Sequence, residues 1–164
     1  MIQAVLDANA FASGVLGAQK DTSTPGELFR RWRAAAFGLA TSDHLIGEVE
    51  KTLREPFFVQ RIPAAEVEAA LRLLRREAVR ATINVMVSEV ASHPEDDLVL
   101  ATAVSAGADY LVTGDRQLLK LGAYEGVEIV SPRDFLDILD RQARGEALSR
   151  PTSGYSESGY SESG

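Results

Sequence analysis

The sequence predicts an α/β fold, a three-layer α/β/α sandwich with a central parallel sheet. Three observations carry this expectation. Short apolar runs recur along the chain, at residues 2–6, 38–41, 109–113 and 127–130. Between them lie segments with apolar residues three and four apart, the period of a helix with one buried face. The first run, Ile2-Gln3-Ala4-Val5-Leu6, is apolar on both faces apart from Gln3, as suits a strand covered from both sides. Short apolar strands alternating with helices imply a parallel sheet with helices on both faces.

Each element has its own signals. Residues 2–6 are the first strand. Pro25-Gly26 precedes a helix with Leu28, Phe29, Trp32 and Ala36 along one side. Gly38-Leu39-Ala40-Thr41 is a short strand. Ser42 can then cap a helix containing Leu45, Ile46, Val49 and Leu53, which Pro56 ends. After Pro63 a helix carries Val67, Ala70, Leu71, Leu74 and Ala78. Residues 82–87, Thr-Ile-Asn-Val-Met-Val, alternate as a strand does. Residues 94–106 are helical, with an acidic first turn of Glu95, Asp96 and Asp97. Residues 109–113 form another strand and 127–130 the last. Ser131 caps a closing helix with Phe135, Leu136 and Leu139.

Residues 1–143 read as one domain and 144–164 as a tail. Tyr-Ser-Glu-Ser-Gly occurs twice near the end, with Gly, Ser and Pro nearby. Such a segment buries too little apolar surface to offset its ordering entropy, so it is expected to be disordered and to take no part in chemistry.

Composition narrows the function classes. The 164 residues are 45% hydrophobic and 25% charged, which suits one globular domain with a sizeable core. No window approaches the ~18 apolar residues of a membrane span. The N-terminus lacks a basic leader and reads directly as a strand, so no signal peptide is expected. The absence of Cys removes thiolate catalysis and Cys-based zinc sites, and fits a reducing cytoplasm. With His44 and His93 the only histidines, a multi-histidine metal site is excluded. Any metal must be held by oxygen, which favours Mg²⁺ or Mn²⁺. A net charge of −7 argues against a sequence-specific DNA-binding module, and less against a nuclease whose site acids are neutralised by metal. Arg30, Arg31 and Arg33, and then Arg72, Arg75, Arg76 and Arg80, read as solvated helix faces.

Four acids stand where strands and helices meet loops. Asp7 closes the first strand and Asp115 closes the run Tyr110-Leu111-Val112-Thr113-Gly114. Glu48 and Asp96 lie in helical patterns at positions expected to face inward. Ligands of open α/β sheets bind beyond the carboxyl ends of the strands, where all four can meet. Each also has a plainer explanation. Asp7 and Asp115 can simply cap the helices that follow, Glu48 can face solvent, and Asp96 and Asp97 are favoured in a first helical turn by the helix dipole. Asn9 and Thr113 are polar neighbours of the same strand ends. His93 is a loop residue with no assigned role.

Together these stretches resemble the PIN-domain ribonucleases, in particular the VapC-like toxin components of bacterial toxin–antitoxin pairs. The resemblance rests on Val5-Leu6-Asp7-Ala8-Asn9-Ala10-Phe11, on Ser42 through Glu50, and on Pro94-Glu95-Asp96-Asp97-Leu98-Val99-Leu100-Ala101-Thr102-Ala103. It continues in Ala108-Asp109-Tyr110-Leu111-Val112-Thr113-Gly114-Asp115 and Ile129-Val130-Ser131-Pro132-Arg133-Asp134-Phe135-Leu136. It spans roughly residues 1–140 and departs at Ala8, where a hydroxyl residue is common, and at His93, where an Asp often stands. It implies metal-dependent hydrolysis of RNA. Asp7, Glu48, Asp96 and Asp115 would be catalytic, with Asp7, Asp96 and Asp115 holding Mg²⁺ or Mn²⁺. Asn9, Asp97 and Thr113 would support them, Asp97 being the second choice to Asp96, and Arg116 would contact the RNA. It further implies a small antitoxin that offers Arg to the acidic cleft, and homodimers formed through helices. Two alternatives remain: a non-catalytic PIN-like interaction module, and an aspartyl-phosphate phosphohydrolase with Asp7 as nucleophile.

Overall fold

The structure, a computed structural model, describes residues 1–20, 22–88, 90 and 94–145. His93 and the repeat-bearing tail lie outside the described residues. The chain opens with β1 (Gln3–Leu6), α1 (Ala8–Gly17), α2 (Thr24–Arg33) and β2 (Gly38–Thr41). It continues with α3 (Asp43–Leu53), α4 (Pro56–Val59), α5 (Ala64–Glu77) and β3 (Val79–Arg80). The second half holds α6 (Pro94–Ser105), β4 (Tyr110–Val112), α7 (Arg116–Leu121), β5 (Ala123–Tyr124), β6 (Val127–Val130) and α8 (Pro132–Ala143).

The strands form one sheet in the order β3-β2-β1-β4-β6-β5, parallel throughout except for the β5–β6 pair. The chain builds outward from β1 through β2 to β3, then crosses back to lay β4 on the other side of β1. The strand order therefore reverses between β1 and β4, whose carboxyl ends are aligned by the Leu6↔Val112 register. Such a reversal opens a crevice at that end of the sheet.

Both faces of the sheet are covered, as the two-sided apolar strands require. Ala4 and Leu6 of β1, Leu39 of β2, and Tyr110 and Val112 of β4 point into the larger core, with α1, α2, α5 and α8. Val5, Ala40, Leu111 and Ile129 point to the opposite face, beneath α6 and α7. In the larger core Phe135 of α8 meets Phe37 edge to face, with ring centroids 5.0 Å apart. Arg31 of α2 reaches Asp140 of α8 at 2.6 Å.

The expected caps form. Ser42 Oγ accepts the Leu45 N–H at 3.2 Å, and Ser131 Oγ accepts that of Asp134 at 3.1 Å. Three boundaries differ from the sequence expectation. Pro25 and Gly26 lie inside α2, behind a Ser23 cap. Pro56 begins α4 rather than marking the end of α3, which stops at Leu53. Residues 82–87 are not a strand; the edge strand β3 is Val79–Arg80. Its partner β2 ends at Thr41, because Ser42 already caps α3, so no backbone remains for residues 82–87 to pair with. The last rung is the Ala81 N–H to the Thr41 carbonyl, 2.8 Å, after which Asn84 N–H turns to Ser105 Oγ of α6 at 3.0 Å. Met86 is left 93% exposed.

Candidate active site

The site is built on the β1–β4 strand ends. The Asp7 N–H donates to the Val112 carbonyl at 3.1 Å, which extends the ladder one residue beyond β1. Asp7 then caps α1: its Oδ1 accepts the Ala10 N–H at 2.8 Å. One strand further along, the Thr113 N–H donates to the Val130 carbonyl at 3.0 Å, and the residue is fully buried. The Thr113 hydroxyl donates to Asp7 Oδ2 and accepts the Asp115 N–H at 3.0 Å. Asp115 in turn caps α7, its Oδ1 accepting the Leu118 N–H at 2.9 Å. The capping roles of Asp7 and Asp115 are thus real. They also bring the two acids to one place, since a cap stands where a strand end becomes a helix start. Each carboxylate oxygen keeps a second lone pair for other work.

A cleft of about 310 Å³ opens beside Asp7. Asn9 from α1, Glu48 from α3 and Asp96 from the first turn of α6 line it with Asp7, and Leu45 and Val99 supply apolar wall. Burial pushes the Asp7 carboxyl above the usual carboxylate range, and the nearby Asp96 and Asp115 carboxylates push it further. The bonds from Thr113 and Ala10 pull the other way. Asp96 and Asp115 are therefore both within electrostatic reach of Asp7, although Asp115 is not part of the cleft lining. A proton or a cation placed among these three carboxylates relieves their repulsion.

A PIN domain family model matches residues 3–117 of the chain. The chain belongs to the PIN domain family. No curated protein matches it. The matched span of the PIN domain runs from β1 to the start of α7 and contains Asp7, Glu48, Asp96, Thr113 and Asp115. PIN domains are in general nucleases, hydrolases that use divalent metal ions.

The oxygen-only donors of this PIN domain suit a hard cation, and the repulsion at Asp7 favours one. Among the described residues, no three His, Asp or Glu side chains form a ready-made cage.

Besides Thr113 and Asp115, which stand beside Asp7, two further expected residues do not line the cleft. Asp97 is buried and lines no part of it, whereas its neighbour Asp96 is half-buried and does. Arg116 is exposed at the first position of α7 and does not line it either. Conversely, Lys51, Glu55 and Glu95 line the cleft without having been singled out from sequence. Lys51 follows Glu48 by three positions on α3, and helical spacing alone places the two on one face.

Proposed function

We propose that this PIN-domain protein is a Mg²⁺- or Mn²⁺-dependent endoribonuclease, the toxin component of a toxin–antitoxin pair. The observation that carries the nuclease reading is the convergence on Asp7. Asp96 and Asp115, from two other elements, act on its carboxylate, while Glu48 and Asn9 share its cleft. Asp7, Asp96 and Asp115 would hold the ion, with Glu48 and Asn9 acting through water. A bound divalent ion supplies an activated water and charge neutralisation at the phosphate.

The chain's own residues supply position. Thr113 fixes the Asp7 carboxylate through Oδ2 while the α1 backbone fixes it through Oδ1. The Asp7 carboxylate is thus oriented before substrate arrives, and such preorganisation is where much of enzymatic rate enhancement originates. Glu48 would act through a water in the cleft, where Leu45 and Val99 form apolar wall. The phosphohydrolase alternative is disfavoured chemically. Asn9, two residues after Asp7, has no acidic proton to give a leaving group.

The toxin assignment, with a small antitoxin and a homodimer, is supported by the motif resemblance. Purified protein should cut RNA with Mn²⁺ or Mg²⁺ and stop on addition of EDTA. Asp7→Asn and Asp96→Asn should each abolish cutting while leaving the circular dichroism spectrum unchanged. Activity retained in Asp96→Asn but lost in Asp97→Asn would move the site by one residue. Expression of the wild type should arrest growth, with co-expression of a small neighbouring gene restoring it; arrest by Asp7→Asn as well would sink the toxin reading.

A further inference from the structure

A cleft for RNA must solve an electrostatic problem that its own acids create. Asp7, Glu48, Glu55, Glu95 and Asp96 all line this one, in a chain of net charge −7. A bound cation offsets part of that charge at the reacting phosphate. It does nothing for the adjoining phosphates, which meet the remaining carboxylates. Among the described residues lining the cleft, Lys51 is the one base. It sits on the last turns of α3, three positions after Glu48, with its side chain exposed. Glu48 stands one turn before it on α3, and Glu55 follows the helix as the N-cap of α4. Even so, the Lys51 side chain forms no hydrogen bond or ion pair among the described residues. Two basic side chains of neighbouring elements are paired: Arg75 with Glu50, and Arg80 with Asp43 at 3.4 Å. An unpaired ammonium at the rim of an otherwise acidic cleft is placed to take a ligand's negative charge.

We propose that Lys51 grips a backbone phosphate of the RNA next to the one being cut, and that it, rather than Arg116, is the substrate-binding cation of the site. This rests on the ribonuclease reading above. Lysine serves as a point charge with no base readout, so the contact is expected to be independent of sequence. Its work is binding, not chemistry.

The test is cleavage of a short single-stranded oligoribonucleotide in Mn²⁺ across a series of salt concentrations. Lys51→Ala should raise KM about fivefold, as for one exposed charge pair near 4 Å in water, with kcat little changed. The slope of log KM against log salt should become shallower by about 0.7, the value for one lost phosphate contact on a single strand. Lys51→Arg should restore both, and Arg116→Ala should move neither. If Lys51 merely balances the acids of the folded protein, Lys51→Ala will change the melting temperature and leave the salt slope at the wild-type value, which overturns the proposal. A fall in kcat at constant KM overturns it as well. Wild-type protein that cuts no RNA at any salt overturns the ribonuclease reading and the role of Lys51 with it.

Discussion

At the scale of single residues, Asp7 holds two jobs that pull against each other. As a cap it satisfies the Ala10 N–H and receives the Thr113 hydroxyl. As a half-buried carboxylate, desolvated and beside Asp96 and Asp115, it is costly to ionise. The sign of the consequence follows from linkage. Its pKa is higher folded than unfolded, so the folded state holds the Asp7 proton more tightly. No penalty exists below the unfolded carboxylate range. The penalty grows as pH rises from that range to the elevated folded value, and it is complete above. Metal-free protein should therefore lose stability across that window, and Asp7→Asn, which still caps α1, should lose less. Thermal melts in EDTA over a pH series check this. A wild type and an Asp7→Asn variant with parallel profiles would mean that neither burial nor the neighbouring carboxylates hold the Asp7 carboxyl above its ordinary range. The acids themselves were legible in the sequence, because Asp7 and Asp115 follow apolar runs that can only be strands. Glu55 and Glu95 were not, since nothing in a string of letters separates an acid facing a cleft from one facing bulk water.

At the scale of elements, α1 carries the Asp7 cap and is held by α2 through glycine. A Cβ on Gly26 would run into the backbone carbonyl of Gly17, and one on Gly17 into the Ser23 side chain that caps α2. Backbone cannot step aside as a side chain can, so the helices would have to part. Gly26→Ala should cost about 1–3 kcal/mol, as overpacking does. Gly47→Ala is the control: it sits inside α3 with nothing within 4 Å of a new Cβ. There the helix gains up to about 1 kcal/mol from the better helix former. Denaturant melts that show both variants weakened equally would rule out the close α1–α2 crossing. This contact was invisible in the sequence, and so was α1 as an element. Its residues 8–17, Ala-Asn-Ala-Phe-Ala-Ser-Gly-Val-Leu-Gly, are small or apolar almost all round, so no polar face marks a helical period. β1 and β4 were readable for the opposite reason: brief, apolar on both faces and bounded by polar residues. The alternation at 82–87 misled because alternation reports a fitness for pairing, and the partner β2 had already ended.

At the scale of the whole molecule, the sheet's strand order gathers negative charge at one edge. β1 and β4 are neighbours whose loops carry Asp7 and Asp115, and α3 and α6 deliver Glu48 and Asp96 to the same side. Nothing in the core needs those carboxylates together. The buried clusters on both faces of the sheet are apolar, so the acids can change without opening a cavity. Folded stability and the acidic edge are thus separable, and a divalent cation should couple them. An ion that binds the folded chain and ignores the unfolded one adds about 2.7 kcal/mol at a hundred times its Kd. For a domain of this size that corresponds to a rise of about 5–10 °C in Tm. Mn²⁺ should therefore raise the Tm of the wild type along a saturable curve. Asp7→Asn should shift that curve to higher Mn²⁺, because it removes one anionic donor and relieves the repulsion that favoured the ion. Lys51→Ala should leave saturation intact or move it slightly to lower Mn²⁺, since a competing positive charge is gone. Only the Asp7→Asn variant is thus predicted to move the curve to higher Mn²⁺. A wild-type Tm that stays flat across millimolar Mn²⁺ would mean that the acidic edge holds no ion, and the nuclease reading would fall with it.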